Sequence, residues 1–338
     1  MSPHSPIRLA IVGAGIFARD THLPAIQSLG NTFEIVAVCT RRPATAGLLL
    51  KLLPKPVEVY AALSDVLARE DVEAVDLVLP IDVMPQAVEQ ALAAGKHIIS
   101  EKPMAPDVAT GRSLLAQHAR TPGLVWMVAE NWRYESAFVG AAEIIRRGEL
   151  GRLVQCSWFV PVAMTIDNKY YHTDWRRSGT WPGGFLLDGG VHCAAALRLL
   201  MGEVAAVSAV TAQFRPDLPP ADTISTAIQF ESGALGGYSA TYVTGAAWPP
   251  VLYIVGEEGA LQVSDGSLVV TAGGETRRLT VPVTQGVPGE LAAFAAAIRQ
   301  GQPHVNSPAE GLRDVAVIEA MLRSAETGQR VVPERVAG

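Results

Sequence analysis

The segment Gly13-Ala14-Gly15-Ile16-Phe17-Ala18 has the pattern G-x-G-x-x-A and follows directly on the apolar run Ile7–Val12. Each small residue has a physical task there. The first glycine permits a tight turn, the second lets a pyrophosphate come up against the backbone, and the small third residue lets helix and strand pack closely. A helix that follows such a turn points its free N–H groups and the positive end of its dipole at the phosphates. The pattern alone is weak, but its place after a strand near the chain start raises it. A dinucleotide-binding turn is the expectation, with Gly13, Ala14, Gly15, Ile16 and Phe17 as contacts. The alternative is a glycine-rich turn with no ligand.

An acid about 20 residues further on would bind a ribose 2′-hydroxyl. The second apolar run instead ends Val38-Cys39-Thr40-Arg41-Arg42. Thr40 can donate a hydrogen bond, and guanidinium groups pair with phosphate by charge-assisted bonds. A 2′-phosphate suits Thr40, Arg41 and Arg42, which favours NADP over NAD. One such bond is worth about 1.5–3 kcal/mol, or about 10- to 150-fold in affinity. The bland alternative is that Arg41 and Arg42 start an exposed helix. Further on, Asp188 and His192 stand four apart at what reads as a helix start, so both side chains share a face. Asp188 could also be a helix cap. No third ligand at metal spacing accompanies the pair, and no metal site is expected.

The elements that must position these residues follow from the apolar pattern. Short runs without polar alternation, at Ile7–Val12, Phe33–Cys39, 74–79, 97–100 and 124–129, suit strands covered on both faces. Helical stretches at 61–70 and 84–94 lie between them, and such alternation argues a doubly wound parallel sheet. The character changes near residue 131. A helix over 137–147 is followed by alternating stretches at 153–162, 204–214, 222–230, 234–243 and 251–255, with few helices between. These predict an α+β domain around a large, open, mainly antiparallel sheet, closed by helices over 288–300 and 308–327. The expected division is 1–128 for a Rossmann domain and 129–338 for a C-terminal domain.

Composition agrees with an α/β chain of two domains. Of 338 residues, 49% are apolar and 18% charged, enough to bury a sizeable core and too apolar for disorder. The net charge of −6 carries no basic nucleic-acid footprint. Cys39, Cys156 and Cys193 are sparse and odd in number, so no disulfide framework is expected. The run 9–15 is too short for a signal-peptide core or a membrane span, which points to a cytoplasmic protein.

At Ala94-Gly95-Lys96-His97-Ile98-Ile99-Ser100-Glu101-Lys102-Pro103 the chain resembles the signature of the glucose–fructose oxidoreductase / inositol dehydrogenase / MocA (Gfo/Idh/MocA) family. Thr21-His22-Leu23-Pro24-Ala25-Ile26 is similar to that family's early H-L-P-A segment, and Asn131-Trp132-Arg133-Tyr134 to its N-x-R-[FY] stretch. The run 183–192, ending Asp188-Gly189-Gly190-Val191-His192, is similar to its D-x-G-x-H element, and 307–328 to its closing helix. The run from Trp175-Arg176 onward resembles a fungal and bacterial branch. The resemblance implies an NAD(P)-dependent oxidoreductase that forms dimers or tetramers through the C-terminal sheet. It implies a Lys102 near the nicotinamide, a Lys102–Pro103 peptide that is often cis, and cofactor contacts from Pro80, Glu101, Lys102, Asn131, Trp175 and Arg176. Two departures, Met84 for a frequent His and Ala195 for a frequent Asp, leave Lys102, Asp188 and His192 in place and point away from the family's better-known sugars.

Hydride transfer at a carbonyl creates or consumes an alkoxide, so a proton donor or acceptor must lie within reach of that oxygen. Lys102 and His192 are the candidates, with His192 as proton relay, Lys102 polarising the substrate oxygen, and Asp188 orienting the substrate or Lys102. Lys169, Tyr170, Tyr171 and His172 could line a pocket or form an ordinary loop. The expected activity is NADP(H)-preferring hydride transfer on a small sugar, cyclitol, diol or aldehyde. The competing reading is a cofactor-binding regulator that has lost catalysis.

Overall fold

A computed structural model describes residues 5–246 and 248–337, without the side chains of 43–45. From the start, strands β1 (Ile7–Val12), β2 (Phe33–Cys39), β3 (Glu58–Tyr60), β4 (Ala74–Leu77), β5 (His97–Glu101) and β6 (Trp126–Ala129) form one sheet in the order β3-β2-β1-β4-β5-β6. Every pairing in it is parallel. Helices α1 (Leu23–Ser28), α2 (Pro43–Leu50), α3 (Leu63–Leu67), α4 (Met84–Ala93) and α5 (Val108–His118) connect the strands. This is the expected Rossmann sheet. The strand order reverses between β1 and β4, the place where such sheets bind ligands beyond the carboxyl ends of their strands. Ile7, Leu9, Ile11, Val38, Ala74 and Ile99 are buried in its core, which explains the continuous apolar runs.

The chain then runs through α6 (Ser136–Arg146), β7 (Leu153–Pro161), α7 (Phe185–Asp188) and α8 (Gly190–Met201). Strands β8 (Val204–Ala212), β9 (Thr223–Phe230), β10 (Leu235–Thr241), β11 (Leu252–Gly256), β12 (Gly259–Ser264), β13 (Ser267–Ala272) and β14 (Glu275–Thr280) follow. With β7 they build an eight-stranded sheet, ordered β14-β13-β12-β11-β7-β10-β9-β8. Only the β7–β10 pairing is parallel, as an open, mainly antiparallel sheet requires. Alternation sets its two faces. Ile224, Thr226, Ile228 and Phe230 of β9 are buried, while Ser225, Ala227 and Gln229 are exposed. The exposed face also carries Phe159, Val210, Leu235, Tyr253 and Val255, which register places on the same side.

Two helices close the chain, α9 (Val287–Gln300) and α10 (Pro308–Thr327). By contacts along the chain the units are discontinuous, where the sequence led us to expect a single cut at 128/129. The compact units are 5–131 with 286–312, and 132–285 with 313–337. Helix α9 returns to the first unit because its stripe Val287, Leu291, Phe294 and Ala295 belongs to the core under β1 and β2, where Phe294 stacks on Phe33 at 6.5 Å. Three elements absent from the sequence reading, α2, α5 and β3, belong to the first unit, and the helix expected over 61–70 shortens to Leu63–Leu67. All three cysteines are free and buried. Among the described residues no helix is long and apolar enough to cross a membrane.

Candidate active site

In the first unit the carboxyl ends of the strands carry the predicted cofactor residues. Gly13, just past β1, has φ +100°, and a Cβ there would lie 2.2 Å from the Val78 carbonyl oxygen. Its N–H donates to the Cys39 carbonyl at 2.8 Å, which ties the turn to the end of β2. Ala14 is buried beneath the turn. Gly15 is exposed, and a Cβ there would meet nothing within 4 Å. The space over its backbone is therefore open to a phosphate, as a dinucleotide requires. Ile16 and Phe17 begin a helical run, and its π-wound turn Ala18–His22 leads into α1.

At the end of β2, the Thr40 N–H donates to the Tyr60 carbonyl at 2.9 Å, and its hydroxyl accepts the Arg42 N–H at 3.2 Å. Arg41 and Arg42 are exposed. Beyond β4, the Pro80 carbonyl accepts the N–H groups of Val83 and Met84 and starts α4. Beyond β5, the Lys102 backbone N–H donates to Glu101 Oε2 at 3.2 Å, Lys102 is half-buried, and the Lys102–Pro103 peptide is cis. Asn131 opens a single helical turn, Asn131–Tyr134, and is half-buried. The open glycine, the basic end of β2 and the Lys102 turn stand on one edge of one sheet. That set fits a nicotinamide dinucleotide.

The second unit holds the other predicted residues. His192 is half-buried on α8, and its ring stacks on Trp132 at 5.0 Å and 14°. Trp132 stacks in turn on Phe138 at 5.2 Å and leans on Trp158 at 5.8 Å, so an aromatic cluster fixes the plane of the imidazole. Asp188 is not at a helix start. It is the last residue of α7, which begins at Phe185 behind Gly183 and Gly184, both at positive φ. Gly189 keeps helical angles into α8, and no side chain caps that helix. The cap reading of Asp188 therefore fails. The helical phase shared with His192 survives.

The Asp188 carboxylate is instead taken by Arg176, whose Nε donates to Oδ2 at 2.7 Å. Arg176 also donates to the Thr173 hydroxyl at 3.2 Å and lies over the rings of Trp175 at 4.1 Å and Tyr170 at 5.0 Å. The Trp175-Arg176 pair and Asp188 thus form one assembly. The Tyr242 hydroxyl comes so close to this helix that a Cβ on Gly189 would lie 2.0 Å from it, and burial pushes the phenol well above its ordinary range. In the loop before it, Tyr171 donates to Asp217 at 2.8 Å under the guanidinium groups of Arg177 and Arg215, and His172 Nε2 donates to the Ile166 carbonyl at 2.8 Å.

Two family models cover most of the chain. One, described as an oxidoreductase family's NAD-binding Rossmann fold, matches residues 7–129, and the other, its C-terminal alpha/beta domain, matches 142–333. The chain belongs to the Gfo/Idh/MocA oxidoreductase family. Among curated relatives of this family member, the dehydrogenase FPY6 of Fusarium mangiferae is 33% identical, covering 94% of this chain and 96% of that one. A dTDP-3,4-didehydro-2,6-dideoxy-alpha-D-glucose 3-reductase of Streptomyces violaceoruber is 30% identical over 95% of this chain and 93% of its own. The crystal structure of an oxidoreductase from Thermotoga maritima, 37% identical, superposes with a TM-score of 0.90 over 97% of this chain and 98% of that one.

Sequence reasoning missed several residues that lie beside the candidate ones within each unit. His22, quoted only as part of a motif, is fully buried between Asp76 and Glu101. Trp132, the variable position of N-x-R-[FY], proves to be the plate under His192. Glu290 is buried on α9, and the readable signal was its place on the apolar stripe of that helix, with Val287, Leu291 and Phe294.

Proposed function

We propose that this protein is an NADP(H)-preferring oxidoreductase that moves a hydride between nicotinamide and a small hydroxy or carbonyl compound such as a sugar, cyclitol, diol or aldehyde. The observation that carries the reading is the Glu101-Lys102-Pro103 turn on the same sheet edge as the open Gly15 and the basic Thr40-Arg41-Arg42 segment. Thr40 stands where a ribose-binding acid would be, and the exposed guanidinium groups of Arg41 and Arg42 suit a 2′-phosphate. The relative named as a dehydrogenase supports the reaction type, and the one named as a dTDP-3,4-didehydro-2,6-dideoxy-alpha-D-glucose 3-reductase supports the substrate class.

A bound nicotinamide supplies the hydride acceptor or donor. The chain's own residues handle the proton. The Lys102 amine contacts the substrate oxygen and polarises it, and His192, held in plane by Trp132, gives or takes the proton. Asp188 holds Arg176, and Arg176, Trp175, Asn131 and Pro80 serve as cofactor contacts. The apolar outer face of the large sheet, with Val210 68% and Leu235 56% exposed, supports a homodimer or homotetramer, and the cytoplasm is the compartment proposed for it.

The test is separate fluorescence titration with NADPH and NADH. An absorbance screen at 340 nm follows, with methylglyoxal for reduction and with myo-inositol, D-xylose and trans-1,2-cyclohexanediol for oxidation. Tighter NADPH binding and turnover of at least one compound are expected. Equal affinity for both cofactors would refute the reading of Thr40, Arg41 and Arg42. Binding without turnover of any such compound, together with tight binding of a protein partner, would favour a regulator.

A further inference from the structure

A buried ionic cluster lies behind the Lys102 turn. The His22 ring, fully buried, meets both Asp76 oxygens through Nδ1, at 3.0 and 2.8 Å, and Glu101 Oε1 through Nε2, at 3.0 Å. A neutral imidazole has one N–H and would turn a lone pair toward one of these carboxylates. Both nitrogens therefore donate. Burial works against the charged ring, but the Asp76 charge and the hydrogen bonds to Asp76 and Glu101 outweigh it and hold His22 well above its ordinary range. The other acids facing the cluster are Glu130, just past β6, and Glu290 on α9. Burial, opposed by the His22 charge and reinforced by those of Glu101, Glu130 and Asp76, pushes Glu290 well above its ordinary range. Among the described residues no group of three or more His, Cys, Asp and Glu is arranged to hold a metal ion.

The cluster is costly to build. Asp76 sits in the middle of a strand whose four residues are all buried. A buried ion pair seldom stabilises more than apolar residues of the same volume would, whereas it does fix geometry. The geometry it fixes here is that of Glu101. One Glu101 oxygen accepts from His22 and the other accepts the backbone N–H of Lys102. The carboxylate cannot rotate without giving up one of them. The Lys102 side chain starts at the next atom of the backbone.

We propose that His22 is a positioning residue for Lys102: clamped by Asp76, it locks Glu101, and Glu101 sets the main chain from which the lysine projects. The proposal rests on the reading of Lys102 as the group at the substrate oxygen. It assigns Asp76 the supporting role at the far end of the chain of contacts.

Amide substitutions separate this from a merely structural role. His22→Gln places an N–H where Nε2 stood, facing Glu101, and His22→Asn places one where Nδ1 stood, facing Asp76. The first readout needs no substrate. It is the rate at which acetic anhydride modifies Lys102, read by mass spectrometry against the exposed Lys51 as internal standard. H22N is expected to change the Lys102 rate, and H22Q, which keeps the contact to Glu101 but gives up the one to Asp76, to restore it in part. Turnover with NADPH and methylglyoxal, or whichever compound of the screen is active, should fall about 100-fold in kcat in H22N, the size of an ångström-scale misplacement, and by far more than NADPH affinity falls. H22Q should recover part of that loss. Should H22N fail to fold, Asp76→Asn decides, since it loosens the clamp and should shift Lys102 modification in the same direction. Wild-type Lys102 modification in H22N and D76N overturns the proposal, as does equal loss in H22N and H22Q with equal loss of Tm. Full turnover in K102A, by contrast, would sink the role of Lys102 while leaving the labelling result to judge the clamp.

Discussion

Gly13 and Gly15 stand two apart in one turn, yet the structure gives them opposite tasks, and alanine at each should fail differently. At Gly13 a Cβ would lie 2.2 Å from the Val78 carbonyl oxygen and 2.9 Å from its carbon, and φ is +100°. Neither neighbour can yield, because both are backbone just past β4, where the Val78 N–H is tied to the Val12 carbonyl at 2.8 Å. Overpacking costs about 1–3 kcal/mol, and a positive φ on an L-residue about 1–2 kcal/mol. Gly13→Ala should therefore lose about 2–5 kcal/mol, which lowers Tm by about 4–20 °C at about 2–4 °C per kcal/mol. At Gly15 the Cβ meets nothing within 4 Å and φ is not positive. Gly15→Ala should leave stability unchanged or raise it by up to about 1 kcal/mol. Its methyl group fills the space a pyrophosphate needs, so each lost backbone bond should weaken NADPH by about 10- to 150-fold. Thermal melts without ligand and NADPH fluorescence titrations on both variants separate the two effects. A G15A protein that binds NADPH like the wild type would refute the assignment of the open space to the cofactor.

Three further outcomes follow from the same geometry. Arg41→Ala and Arg42→Ala should each weaken NADPH by about 10- to 150-fold and leave NADH within about twofold; parallel titrations check this, and equal losses for both cofactors would contradict the 2′-phosphate reading. His22 and Glu290 hold protons in the folded state that the unfolded chain releases above about pH 6.5 and about pH 4.3 respectively, so their contributions fade as pH rises from those values toward the raised folded ones. Urea midpoints should accordingly fall from pH 7 to pH 9.5, less steeply in H22Q, and identical slopes in the two proteins would contradict the charged ring. Tyr253→Glu, on the outer face of the large sheet and 49% exposed, should shift sedimentation toward monomer with the melting temperature of each unit kept; an unchanged assembly would place the interface elsewhere.

Much of the fold was legible because burial on both faces writes itself as uninterrupted apolar runs. Strands β1 and β2 begin and end where the runs do, and α10 spans the expected 308–327. The short α3 and β3 were illegible or overextended because three to five residues hold too little periodicity. The return of α9 to the first unit was hidden for another reason. An apolar stripe records that a helix is covered, and carries no mark of which element covers it. The phosphate turn and the candidate positions Lys102, Asp188 and His192 came forward from motif, spacing and the family resemblance. Their partners did not. Asp76 lay unremarked inside an apolar run, Glu290 unremarked in a first helical turn, and Arg176, expected as a cofactor contact, gave no sign that it also holds Asp188. Partnerships across 54 or 79 residues, as between His22 and its two carboxylates, leave no local pattern.

The central claim is that Lys102 acts at the substrate oxygen of an NADP-dependent hydride transfer. The most direct measurement compares wild type and Lys102→Ala at 340 nm, with saturating NADPH and the best compound of the screen, beside NADPH affinity for each. The account predicts NADPH binding within a few-fold of wild type and a kcat lower by about 100-fold or more, the scale of a lost general acid or base. Undiminished turnover in Lys102→Ala would contradict it.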